Sequence, residues 1–234
     1  MTKVKKKRTK TKKPVRALAP FSFVACIELK EMLGRRARDE LDLLEHLEEV
    51  PADSIYFHTY SYFLRHSYVK GPYPNDFATW AASEVGDNVL GERLGLLNPF
   101  AFESVEALRS EIITIIDDHL QGLQVVPRVV HGELFEFMSS RIIEIPTEFE
   151  VETLPDFVAA LRDVEASAIY FHVFEAQLRM GKGQSDFAKW LEIAVGQGAL
   201  AERLNRIDPY LLSLEELRAQ ILELCEMALD GKGK

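Results

Sequence analysis

The chain has 234 residues, 47% hydrophobic, 28% charged and 10% aromatic, an ordinary globular composition with room for one or two packed domains. No apolar run reaches the roughly 18 residues of a helical membrane span, and glycine and proline are too sparse for a collagen-like or linker-rich chain. The charge is split: nine of the 28 Lys and Arg lie in residues 1–16 and none of the 37 acids does, so residues 17–234 carry about −18.

Residues 1–16 are expected to form a disordered basic tail, because the block has too few apolar groups to offset its ordering entropy. Such a tail either solubilises the protein and brushes its acidic body, the favoured reading, or contacts nucleic acid or another polyanion. The following apolar run, Ala17 to Ile27, imitates a secretion signal, and Phe23-Val24-Ala25-Cys26 imitates a lipoprotein cleavage box. Pro20 and Ser22 interrupt it, and Phe21-Ser22-Phe23 returns later as Phe135-Glu136-Phe137, so the segment reads as mature structure. Phe-x-Phe and Arg141–Ile145 alternate as strands do, whereas Glu28 to Leu33 suits a helix. Leu41, Leu44, Leu47 and Val50 have helical spacing, as do Phe157, Val158, Leu161 and Val164. Ile55–His66 and Ile169–Met180 suit a second, aromatic-rich helix. Asp76 and Asp186 stand where an N-cap belongs, ahead of Phe77/Trp80 and Phe187/Trp190. Short helices over Val89–Leu97 and Ala199–Ile207 stop before Asn98-Pro99 and Asp208-Pro209. The last helices begin at Ser104 and Ser213, and Ser213 with Glu216 makes a capping box. Cys26 and Cys225 form no metal or redox spacing, and fit two core-facing thiols in a reducing cytoplasm.

The chain contains an internal repeat. Ser54-Ile55-Tyr56-Phe57-His58 matches Ala168-Ile169-Tyr170-Phe171-His172, and ten of the nineteen residues from Asp76 to Leu94 are identical to 186–204, where chance gives about one. The loop His66–Asn75 of the first unit shortens to Met180–Ser185 in the second. The units span residues 20–120 and 134–230, joined by a connector, 121–133. The expected fold is therefore mainly α: two tandem homologous helical repeats of four to five helices, each opened by a short β-hairpin or extended segment, packed as a pseudo-twofold body.

Phe-x-Phe, the leucine-rich helix, Ser54-Ile55-Tyr56-Phe57-His58, Pro74-Asn75-Asp76-Phe77-Ala78-x-Trp80 and Leu90-Gly91-Glu92-Arg93-Leu94 together resemble a prokaryotic family known as domain of unknown function 5752. The resemblance covers nearly all of 20–120, and 134–230 is similar to a second, diverged copy that has lost the Pro-Asn of the loop. It implies no activity, and suggests an association with carbohydrate metabolism.

No catalytic residue, metal site or cofactor follows from the motifs. There is no His-Glu-x-x-His, nucleophile elbow or dinucleotide fingerprint, and Gly181-Lys182-Gly183-Gln184-Ser185 lacks the strand and spacing of a phosphate-binding loop. His58, Arg65 and Asp76, with His172, Arg179 and Asp186, form the candidate ligand or structural polar site. A buried, hydrogen-bonded histidine is the favoured reading over a ligand, and the arginines are expected to bridge to Glu92 and Glu202 or to a helix end. Trp80 and Trp190 are expected in the core rather than against a sugar. Tyr68, Pro72, Tyr73 and Pro74 form the candidate partner-contact loop, since Tyr and Pro lose little entropy on docking. Three functions compete. The first is a non-enzymatic binding or regulatory module that docks a protein partner, in the cytoplasm and off the membrane. The second is a small-molecule or metal site at the repeat junction using His58 and His172. The third is polyanion binding through the tail.

Overall fold

Two long strands organise the computed structural model, which describes residues 15–180 and 184–231, Met180 by its backbone alone. Strand β1 (Arg16–Ala37, 22 residues) and strand β2 (Phe135–Thr153, 19 residues) pair antiparallel as a two-stranded ribbon. At its centre Ile27 faces Ile143, Glu28 faces Ile142 and Leu29 faces Arg141. The register shifts between Ser22 and Val24 and between Met32 and Arg36, and such bulges add local twist. The basic tail and the segment 181–183 lie outside the described residues, except that Val15 and Arg16 are described and Arg16 begins β1.

Helices follow each strand. After β1 come α1 (Glu40–Glu49), α2 (Ala52–His58), α3 (Tyr62–Arg65), α4 (Asp76–Trp80), α5 (Asn88–Gly95) and α6 (Val105–Leu120). After β2 come α7 (Leu154–Asp163), α8 (Ala166–Tyr170), α9 (Ala176–Met180), α10 (Asp186–Ile193), α11 (Gly198–Asn205) and α12 (Leu214–Leu229). Side chains of Asp39, Asn75, Asp87, Ser104, Thr153, Ser185 and Ser213 cap seven of them, each satisfying a backbone N–H that the first turn leaves free. The capping box of Ser213 and Glu216 is complete.

This α/β architecture corrects the expectation of a mainly α body of helical repeats. The extended segments are not short, and Glu28 to Leu33 is strand rather than helix. Each strand is also divided between the halves: Ala37 of β1 and Val151 of β2 pack in the core of their own half, but the Phe-x-Phe segments do not. Phe135 and Phe137 of β2 join the core of Leu43, Leu47, Ile55, Phe77, Leu90 and Ile112 in the first half. Phe21 and Phe23 of β1 join the core of Phe157, Leu161, Ile169, Phe187, Leu191 and Ile221 in the second. The strands are exchanged: each half lends its Phe-x-Phe to the other. Burial of each ring contributes roughly 1.5–3 kcal/mol.

The aromatic-rich helix expected over Ile55–His66 is broken. Thr59 Oγ1 donates to Ile55 O at 2.6 Å and Ser61 Oγ to Phe57 O at 2.9 Å, side-chain bonds that compete with the helical ladder. In the second half the same stretch continues through a π-helical turn, Phe171–Glu175. Among the described residues no helix is long and apolar enough to cross a membrane.

Candidate functional site

The sequence-selected histidines sit in two equivalent latches that hold the exchanged strands. His58 is buried at the end of α2, its Nε2 accepting the Met138 N–H of β2 at 3.1 Å. His172 is buried in the π-helical turn, its Nε2 accepting the Val24 N–H of β1 at 2.8 Å. A backbone N–H can only donate, so in each ring Nε2 is unprotonated and Nδ1 carries the proton. That proton goes to Asp76 Oδ2 at 2.8 Å and to Asp186 Oδ2 at 2.9 Å. Burial lowers the pKa of both histidines, although each aspartate pulls the other way. Burial also works against the charge of Asp186, but the His172 and Arg179 contacts outweigh it and hold that carboxyl below its usual range.

The aspartates are free for this role because they do not cap. The caps of α4 and α10 are Asn75 and Ser185, one residue before the expected positions. The arginines complete each latch instead of bridging to Glu92 and Glu202. Arg65 pairs with Asp76, donates to Phe57 O at 2.8 Å and lies over the Phe57 ring. Arg179 pairs with Asp186 at 2.9 Å and lies over the Phe171 ring. Both tryptophans are buried, and their indole N–H groups bind the chain just ahead of each Phe-x-Phe. Trp80 donates to Glu133 O at 3.0 Å and Trp190 to Ala19 O at 2.9 Å.

The two histidines do not converge. Val24 and Met138 bind at positions eight residues apart along the ribbon, since Met138 faces Met32, a span of about 26 Å. Between the halves Phe63 stacks on Phe174, and Tyr56 meets Tyr170. The two tyrosine hydroxyls lie 2.7 Å apart and both donate to Glu175. Burial first, and then Glu175, pushes the Tyr56 pKa far up, so both phenols stay neutral.

The Tyr/Pro loop lies at the surface. Tyr68 is 78% exposed, while the Tyr73 ring packs so closely on Gly95 that a Cβ there would come within 2.6 Å of it. Lys70 Nζ donates to Leu211 O at 3.3 Å, tying the loop to the second half. Between them runs a cleft of about 380 Å³, lined by Lys70, Pro72, Tyr73, Leu96, Tyr210 and Leu211 among others. Of these, Leu96 and Leu211 are 85% and 58% exposed.

A fourth cluster was not singled out by sequence. Glu40 in the first turn of α1, Asp87 at the cap of α5 and His119 in the last turn of α6 bring one ligand atom each to within 4.8 Å of one another. His119 Nε2 lies 2.8 Å from Asp87 Oδ2 and 3.9 Å from Glu40 Oε2. Asp87 Oδ1 caps α5 by accepting the Leu90 N–H at 2.8 Å, so only Oδ2 faces the cluster. Glu40 is 0% exposed and neither carboxylate oxygen has a hydrogen-bond partner. Burial, then Asp87 and Asp39, pushes its carboxyl up to about 7. Burial opposes the charge of Asp87, but the Leu90 N–H and His119 outweigh it and keep that group low.

These features define an α/β protein built on an exchanged two-stranded ribbon. The chain belongs to a family of unknown function, DUF5752, matched over residues 18–226. The match is a single span across both halves. Among solved structures the chain is similar to OrfY from Thermoproteus tenax, with 26% identity, coverage of 91% of this chain and 97% of that one, and a TM-score of 0.73. No curated protein matches it.

Proposed function

We propose that the chain is a non-enzymatic binding module that docks a protein partner at the Tyr68–Pro74 loop. The observation that carries this reading is the cleft beneath the loop, with the apolar side chains of Leu96 and Leu211 exposed in its lining and Tyr68 exposed on the same loop. Lys70 and Glu92 supply a polar rim to that apolar centre, the usual anatomy of a docking patch. The His, Asp, Arg and Trp side chains that would otherwise suggest catalysis are taken up by the latches. The acidic balance of residues 17–234 favours a partner with a basic surface that presents an apolar anchor. The internal identities also support reading the two halves as diverged copies of one ancestral unit.

The test uses the full chain and its Leu96→Asp variant as paired baits in the native host. A basic partner retained by the first, lost by the second and then bound directly by purified wild-type protein supports the proposal. A partner that binds both equally removes the cleft from it. Matching melting curves for the two baits ensure that loss of binding is not loss of fold.

A further inference from the structure

We infer that Glu40, Asp87 and His119 form a binding site for one divalent transition-metal cation, of the zinc type, that ties α1, α5 and α6 together. This goes beyond the docking reading and does not depend on it.

The first argument is geometric. Oxygen and nitrogen ligands sit about 2.0–2.2 Å from zinc, so neighbouring ligand atoms of a tetrahedral centre are about 3.4 Å apart. The two separations from His119 Nε2, 2.8 Å to Asp87 and 3.9 Å to Glu40, bracket that spacing, and small side-chain rotations would equalise them. Three protein ligands leave a fourth position for water or another small donor.

The second argument is the unpartnered carboxylate. An unpaired, fully buried charge is costly, and native proteins pair it, neutralise it or place it on a metal. Both oxygens of Glu40 lack a hydrogen-bond partner, and among the described residues the basic side chain paired with it, His119, is nearer to Asp87. Two carboxylates, one neutral imidazole and a divalent cation sum to zero charge. A mixed carboxylate and imidazole set suits zinc or manganese better than magnesium, which prefers oxygen and its own waters.

The third argument is internal. In the second half the matching positions are Leu154 in the first turn of α7, Gln197 at the cap of α11 and Ala228 in the last turn of α12. Leu154 is buried in the core there. The three matching positions carry no ionisable side chain, so the fold alone does not require the carboxylates and histidine of the first half.

The experiment strips the untagged full-length protein with chelator, then adds Zn²⁺, Mn²⁺ or Mg²⁺ separately. Bound metal is counted after desalting, and melting curves are recorded. One Zn²⁺ per chain is expected, with the midpoint raised by about 5–10 °C at an ion concentration near 100 times Kd, and a smaller shift with Mg²⁺. The triple variant Glu40→Leu/Asp87→Gln/His119→Ala copies the second half, and should lose both the bound ion and the shift. Glu40→Gln keeps the shape of the site and should weaken uptake at least tenfold, which preserves the test if the triple variant does not fold. Failure of the wild type to bind zinc, uptake that survives Glu40→Gln, or tighter binding of Mg²⁺ than of Zn²⁺ would overturn the inference.

Discussion

The two halves agree at their latches and disagree at one corner. In both, a buried histidine accepts a backbone N–H from the other half's strand, an aspartate holds its far nitrogen, an arginine holds the aspartate, and a tryptophan grips the chain ahead of Phe-x-Phe. Where the first helix, the capped short helix and the long last helix meet, the first half has Glu40, Asp87 and His119 and the second has Leu154, Gln197 and Ala228. Groups repeated in both places serve the shared fold. A costly polar group present in one half only, where the other packs without it, is where a separate role has room to arise.

The largest expected effect tests the exchange. Phe137→Ala and Phe23→Ala should each cost about 3–5 kcal/mol in denaturant unfolding, because each ring is buried among aromatic neighbours of the other half. The latches come next. His58→Ala and His172→Ala should each destabilise by roughly 1–3 kcal/mol, leaving a cavity and an unpaired strand N–H. Near-equal losses would sharpen the equivalence, and a loss confined to one half would break it.

Glu40→Leu has the opposite sign. It replaces an unpartnered buried carboxylate with the residue found at Leu154, and should stabilise the chelator-treated protein by about 1–2 kcal/mol at pH 8. Loss of stability in that metal-free state would show that the two corners are less alike than their backbones. The smallest effect is on pH dependence. Burial keeps both latch histidines below their ordinary pKa in the folded state, whereas the unfolded chain takes up those protons near pH 6.5. Below that pH the unfolded state binds more protons, so stability falls on acidification and is regained above it. The loss should approach about 1 kcal/mol per histidine by pH 5.5, read as the difference in urea midpoints between wild type and the His58→Ala/His172→Ala double variant.

Parts of this were legible in the sequence. Ser104 and Ser213 cap the long helices where the pattern places them, and both tryptophans are core residues. The length of the strands was hidden because the ribbon's centre leaves Ile27, Leu29, Ile143 and Ile145 exposed, so no core face there distinguishes a strand from a helix over Glu28 to Leu33. The exchange was hidden for a different reason: when both halves carry Phe-x-Phe, the pattern of each core is the same whichever strand fills it. The sequence does not separate Asp76 and Asp186 from the true caps, because the neighbouring Asn75 and Ser185 are equally suited to capping and are the residues that cap. Glu40, Asp87 and His119 lie on three separate elements with no motif spacing. Aligning the halves position by position would have exposed them, as a carboxylate against Leu154 and a histidine against Ala228.

The central claim is that each half is completed by the other's strand, and native-state hydrogen exchange of Phe23→Ala tests it most directly. Sub-global opening reports where packing is lost, not where the substitution lies in sequence. The account predicts reduced protection in α7, α10 and α12, whose core receives Phe23, with α1, α4 and α6 close to wild type. Reduced protection confined to α1, α4 and α6, the helices that follow β1 in its own half, would contradict it.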